Sequence, residues 1–146
     1  MKAERRADVV WKGDLMSGSG EIVSTGSGAL SNLGVSWAAR TESSDGSTSP
    51  EELIAAAHAA CFSMALSNGL AQGGHAPEQL EVSAVVTFEQ VEGGWKVATS
   101  ALDVQGTVPG MDEAAFREAA EQAKDGCPVS GALKGNVGMT VNARLA

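Results

Sequence analysis

A chain of 146 residues, 43% hydrophobic and 19% charged, has the composition of a globular protein and is long enough to bury one core of its own. The formal net charge of −8 argues against nucleic acid as a partner, because phosphate backbones select basic surfaces. Met1 is followed by Lys2, Arg5 and Arg6 but by no apolar signal segment, so a cytoplasmic protein is expected.

Residues 5–14 alternate as a strand, with Val9 and Trp11 on one face and Val10 on the other. Ser17-Gly18-Ser19-Gly20 is a turn, and residues 21–25 return as the second strand of a hairpin. Gly26-Ser27-Gly28 and Asn32-Leu33-Gly34 read as irregular, followed by a short apolar piece over residues 35–40. A polar loop over residues 41–49 then delivers the chain to a helix. Nothing here has the character of an interdomain linker, so residues 1–146 are read as a single domain.

The helix opens at Ser49 as N-cap, with Pro50 in the first helical position and Glu52 placed to complete a capping box. Between residues 53 and 66 only His58 and Ser63 are polar, so the helix has no wet face. Such a helix belongs in the middle of a domain, covered on every side. The 14-residue apolar run is shorter than a bilayer span, and no membrane is expected. The helix should end near Gly73-Gly74.

After Pro77 the pattern turns to period two. Residues 80–88 form a strand, Gly93-Gly94 a turn, and residues 95–104 the second strand of a hairpin. The segment 107–110 breaks it. Asp112 caps an amphipathic helix over residues 113–124, with Ala115, Phe116, Ala119, Ala120 and Ala123 in one stripe. Gly126 ends that helix, Cys127-Pro128-Val129-Ser130 starts a short one, and residues 137–145 alternate as a last strand. The sum is α+β.

The chain holds only two cysteines, Cys61 in the middle of the apolar helix and Cys127. In a cytosolic chain two cysteines are more often reactive or merely buried than a staple. The fold is expected to bring the two sulfurs together. Pro128 puts Cys127 at an N-cap, where unpaired N–H groups favour its thiolate. Cys61 gains little from the dipole, and an apolar setting raises its pKa unless a cation stands beside it. Arg40, just before the loop that enters the helix, is the best placed cation. Glu51 lies ten residues before Cys61, about 15 Å along a straight helix, so it cannot reach that sulfur on its own helix. It is either a first-turn charge or part of a site shared across a dimer. His58, one turn before Cys61, leaves two other readings open: a Cys-His hydrolase, or a metal site with His75 and Cys127. The plainer reading is that His58 is a satisfied packing residue and Cys61 a small buried hydrophobe.

The stretch Ser49-Pro50-Glu51-Glu52-Leu53-Ile54-Ala55-Ala56-Ala57-His58-Ala59-Ala60-Cys61-Phe62-Ser63-Met64-Ala65-Leu66, together with Ala123-Lys124-Asp125-Gly126-Cys127-Pro128-Val129-Ser130, closely resembles the two motifs of the OsmC/Ohr family. The Ala-His-Ala-Ala-Cys-Phe-Ser-Met form of the first motif and Val108-Pro109-Gly110-Met111-Asp112 resemble its osmotically inducible branch. The resemblance spans essentially the whole chain. It implies an OsmC-like α+β fold with antiparallel sheets around a buried central helix, in an intertwined homodimer with sites at the subunit interface.

The activity so implied is a thiol-dependent peroxidase acting on organic hydroperoxides. Cys61 matches the peroxidatic cysteine and Cys127 the resolving one; Arg40 matches the arginine that lowers the thiol pKa, and Glu51 the carboxylate that holds it. Cys61 would become a sulfenic acid and then a disulfide with Cys127, recycled by a dithiol such as a dihydrolipoyl group. No cofactor or metal is implied. The alternative is a peroxide-sensing or binding protein of the same fold that does not turn over.

Overall fold

In the computed structural model, which describes all 146 residues, the alternating N-terminal residues form β1 (Ala7–Lys12) and β2 (Ser19–Thr25), paired antiparallel as expected. Asp14 sets the turn between them: its carboxylate accepts from the Ser17 amide and the Ser17 hydroxyl, each at 2.8 Å. The segment read as irregular is partly a strand, β3 (Ser31–Val35), which adds antiparallel to β2 in the order β1-β2-β3. Leu33 and Val35, set among serine, asparagine and glycine, gave it too brief an alternation to read. The β2 edge supplies its ladder instead, pairing Ile22 with Leu33 and Gly20 with Val35. The apolar piece after it becomes a short helix, α1 (Trp37–Thr41), where the Ser36 hydroxyl accepts from the Ala39 amide at 3.0 Å. The loop that follows is tied back by a bridge between Val35 and Thr48.

These residues belong to the first of two compact units, Met1–Leu53; the second is Ile54–Ala146. Buried apolar surface in the first unit is scant. Ile22 is enclosed, whereas Val9, Val10, Trp11, Val23 and Leu30 stand exposed.

The long helix is α2 (Pro50–Gln72), with its end one residue before the expected glycines. Its N-cap forms as predicted, the Glu52 amide donating to the Ser49 hydroxyl at 3.2 Å. The Glu52 carboxylate, however, accepts from the Thr48 hydroxyl at 3.0 Å. Coverage also differs from the expectation. Phe62, Leu66 and Leu70 are buried along one face, but Met64 is 68% exposed. The helix is 23 residues long and apolar enough to meet the length and composition of a membrane span, so counting the 14-residue run does not exclude one. Core helices of folded domains pass the same test, and Phe62, Leu66 and Leu70 sit in a hydrophobic core here.

The second sheet contains β4 (Gln79–Val91), β5 (Gly94–Thr107) and β6 (Gly138–Leu145), in that order. β4 and β5 form the expected hairpin, but β6 lies parallel to β5, so this sheet is mixed where antiparallel pairing was expected. Two helices, α3 (Glu113–Gly126) and α4 (Pro128–Leu133), intervene between β5 and β6. A crossover of that length is what a parallel neighbour requires. Along β5 the buried positions alternate as Ser100, Leu102, Val104 and Gly106. Leu102 and Val104 join Phe62, Leu66, Leu70, Phe116, Ala120 and Ala123 in one core. Each large side chain so enclosed contributes about 1.5–3 kcal/mol.

Candidate active site

α2 and α4 deliver the two cysteines of the second unit. Cys61 projects from the middle of α2 and is half-buried, whereas Cys127 is the N-cap of α4 and 1% exposed. Both are free thiols, and they are hydrogen-bonding neighbours. Burial pushes the Cys61 thiol above its ordinary range, and its role as donor to Cys127 pushes it further, the Val129 amide opposing only in part. Burial also penalises the Cys127 thiolate, but the Cys61 thiol, the Ser130 amide and hydroxyl and the Val129 amide outweigh that penalty. The Cys127 pKa is therefore lowered. As a thiol Cys127 closes no side-chain cap bond at α4; the surrounding dipoles act on its anionic form. Of the two thiols, Cys127 is therefore the one that ionises first, in line with the N-cap argument from sequence.

His58 lies one turn before Cys61 and is fully enclosed. Its Nδ1 is 2.7 Å from the Ser100 hydroxyl and its Nε2 is 2.8 Å from the Ser130 hydroxyl. Desolvation lowers its pKa, so the ring is neutral at ordinary pH. With both nitrogens engaged by serines, it fits the satisfied packing residue read from sequence and not the base of a Cys-His hydrolase. His75, the other ligand considered for a metal, instead places Nδ1 3.3 Å from the Pro109 carbonyl. Ser100 and Ser130 were not anticipated. One signal was available: Ser100 occupies an inward position of β5 that is otherwise filled by Leu102 and Val104.

In the first unit, Arg40 at the end of α1 grips Glu51 in the first turn of α2. Nε lies 3.0 and 3.1 Å from the two carboxylate oxygens, and Nη2 lies 2.8 Å from Oε1. This is the forked geometry that fixes a guanidinium plane. Glu51 is 6% exposed, and Arg40 also stands 6.0 Å over the Trp37 ring. The carboxylate that partners Arg40 is thus Glu51; Glu52 is taken by Thr48. A groove of about 620 Å³ lined by Met64, Asn68 and Pro77, among others, includes neither cysteine.

Residues 43–142 match the OsmC-like protein family. The chain is 41% identical to the peroxiredoxin OsmC of Escherichia coli K12 over 137 residues, 94% of each chain. It is 34% identical to an organic hydroperoxide resistance protein of Xanthomonas axonopodis pv. citri over 95 residues, 64% of this chain and 65% of that one. The crystal structure of the organic hydroperoxide resistance protein OhrB of Bacillus subtilis superposes with a TM-score of 0.71 at 26% identity, covering 95% of this chain and 98% of the other. That of an organic hydroperoxide resistance protein from Elizabethkingia anophelis gives 0.75 at 24% identity over the full length of both, a likeness of fold. With a matching family region over two thirds of its length and a close relative along nearly all of it, the chain belongs to the OsmC/Ohr family of peroxiredoxin-like, organic hydroperoxide resistance proteins.

Proposed function

We propose that this protein is a cysteine-based peroxidase that reduces organic hydroperoxides to alcohols and is recycled by a dithiol. The observation that carries the reading is the neighbouring pair itself: a half-buried Cys61 open to a substrate and an enclosed Cys127 at its side. The Cys61 thiolate attacks the peroxide, the O–O bond breaks, and the alkoxide leaves with a proton as the alcohol. Sulfur is thereby oxidised to Cys61–S–OH. Cys127 attacks that sulfur, the S–S bond forms, and hydroxide departs to become water. A dithiol, with a dihydrolipoyl group as the expected type, then opens the disulfide by exchange and is itself oxidised.

Cys61 needs a cation, because burial and Cys127 both oppose its ionisation. Arg40, aligned by Glu51, is the group assigned that role. A homodimer that shares its sites between protomers fits the helix arithmetic, which separates Glu51 from Cys61 by about 15 Å. The reading includes a single OsmC/Ohr-like domain over residues 1–146, working in the cytoplasm. The apolar, alanine-rich stretch of α2 that carries Cys61 favours an alkyl tail, at about 25 cal/mol per Å² buried, so bulky hydroperoxides should outrun hydrogen peroxide.

Cys127→Ser tests the scheme. It should consume one equivalent of cumene hydroperoxide and stop, with a sulfenic acid trapped on Cys61. Continued turnover by that variant would overturn the resolving role and favour a one-cysteine reaction.

A further inference from the structure

His58 is a fully enclosed titratable group with no part in the chemistry above, and it is joined to that chemistry through one hydroxyl. His58 and Cys61 are three residues apart on α2; Cys127 and Ser130 are three residues apart at the start of α4. The two pairs meet rung by rung, sulfur to sulfur and imidazole to hydroxyl, with Nε2 2.8 Å from Ser130 Oγ. Ser130 Oγ in turn stands beside Cys127 Sγ, and Ser100 closes the far end at 2.7 Å from Nδ1. His58, Ser100, Ser130 and Cys127 are each no more than 1% exposed.

We propose that His58, through Ser130, is a positioning residue for Cys127: it holds the Ser130 hydroxyl as a donor to Cys127 Sγ, so that Cys127 enters and leaves the disulfide as a thiolate. Its role in turnover rests on the peroxidase reading; the hydrogen-bond chain does not.

Proton counting supports this. A neutral imidazole offers one N–H and one bare nitrogen, and a hydroxyl carries one proton. For Ser130 Oγ–H to point at the sulfur, Oγ must receive Nε2–H, and Nδ1 must then accept from the Ser100 hydroxyl. With the other tautomer, Ser130 gives its proton to Nε2 and turns a lone pair to the sulfur, which suits a Cys127 thiol as donor. The chain therefore serves both protonation states of Cys127 while the enclosed ring stays neutral. In the resolving step, Cys127 thiolate attacks Cys61–S–OH, the S–O bond breaks and hydroxide takes up a proton. In the recycling step, a thiolate of the dithiol attacks Cys61 Sγ and the S–S electron pair passes to Cys127, where the Ser130 hydroxyl receives it. A stabilised leaving thiolate departs faster and directs attack to Cys61. The titratable groups around Cys127 are Cys61 and, through Ser130, His58 on α2, with Lys124 and Asp125 on the last turn of α3. Lys124 is held by Glu121 at 2.8 Å and lies 3.8 Å from Asp125.

Titration of Cys127 by ultraviolet thiolate absorbance in a Cys61→Ser background reads the chain without peroxide. Ser130→Ala should raise the midpoint by about one unit, tenfold in the ionisation constant, the size expected for one hydrogen bond to a charged group. His58→Leu should raise it as well, although it does not touch sulfur; Ser130→Thr, which keeps the hydroxyl, should restore it. If His58→Leu does not fold, Ser100→Ala tests the same link, because it removes the donor that fixes Nδ1 as acceptor and Nε2 as N–H; the midpoint should rise, and an unchanged midpoint overturns the part given to His58. With both cysteines present, Ser130→Ala should slow disulfide closure about tenfold after one equivalent of cumene hydroperoxide, so that the Cys61 sulfenic acid persists longer than in the parent. A Ser130→Ala midpoint equal to its parent's overturns the relay and leaves the peroxidase reading intact. A parent protein that forms no sulfenic acid overturns the peroxidase reading, and the titration still judges the hydrogen-bond chain.

Discussion

At the scale of single residues, three side chains have opposed charge preferences set by their surroundings. Cys61 resists ionisation, Cys127 accepts it, and His58 is kept neutral by burial. The last has a consequence for stability. The folded pKa of His58 lies below the ordinary 6.5, so on acidification the unfolded chain takes up a proton that the folded one refuses. The His58 contribution to stability is therefore whole above about pH 6.5 and declines below it, until the folded pKa is reached. Urea midpoints should fall in that window, and fall less in His58→Gln; equal slopes for the two proteins would assign the acid loss to other groups. For the Arg40–Glu51 pair, Glu51→Gln should cost about tenfold or more in peroxidase kcat/KM, since it weakens charge-assisted bonds worth about 1.5–3 kcal/mol. Glu52→Gln should cost little, because Glu52 engages Thr48. The nearness of Cys61 to Cys127 and the pairing of Arg40 with Glu51 follow the motifs read from sequence. Ser100 and Ser130 were not legible there, because they meet His58 from 42 and 72 residues away. Spacing along one helix carries no record of a partner on another element.

At the scale of elements, the fold is held where helix meets sheet with no slack. A Cβ added to Gly106 on β5 would come within 2.6 Å of Phe116 Cζ on α3, and Phe116 is fully enclosed. Gly106→Ala should therefore destabilise by about 1–3 kcal/mol, read as a lower urea midpoint. An unchanged midpoint would mean that α3 slides freely on the sheet. Ser49→Ala removes the α2 cap and should cost about 1 kcal/mol. Elements with strong periodicity were legible: β4, β5, α3 and both ends of α2 lie close to where alternation, capping residues and glycines place them. β3 and α1 were missed for a physical reason. In β3 Leu33 and Val35 stand among Ser31, Asn32 and Gly34, too briefly for alternation to be read, and the strand exists because β2 offers it a ladder, while α1 spans only Trp37–Thr41 and relies on the Ser36 cap. The parallel setting of β6 was equally hidden, since alternation reports a strand's faces and not its direction. Asp103 on β5 fixes that pairing by accepting from Asn142 and Arg144 of β6 at 2.8 and 2.6 Å.

At the scale of the whole molecule, much apolar surface is left uncovered on the single chain. Met64 on α2 and Val9, Val10, Trp11 and Val23 on the first sheet all stand exposed. A helix apolar on every side keeps its uncovered faces at a cost in water unless another surface meets them. A homodimer, as proposed above, would supply that surface. Sedimentation equilibrium should return twice the chain mass of 14.8 kDa, and a monomer at micromolar concentration would contradict shared sites. The most direct test of the peroxidase account is consumption of cumene hydroperoxide by the pure protein with excess dihydrolipoamide, beside a Cys61→Ser control. The account predicts many turnovers per chain, abolished in the control. A single equivalent consumed despite excess dithiol would make the protein a sensor, and no consumption at all would return Cys61 to a packing role and contradict the account.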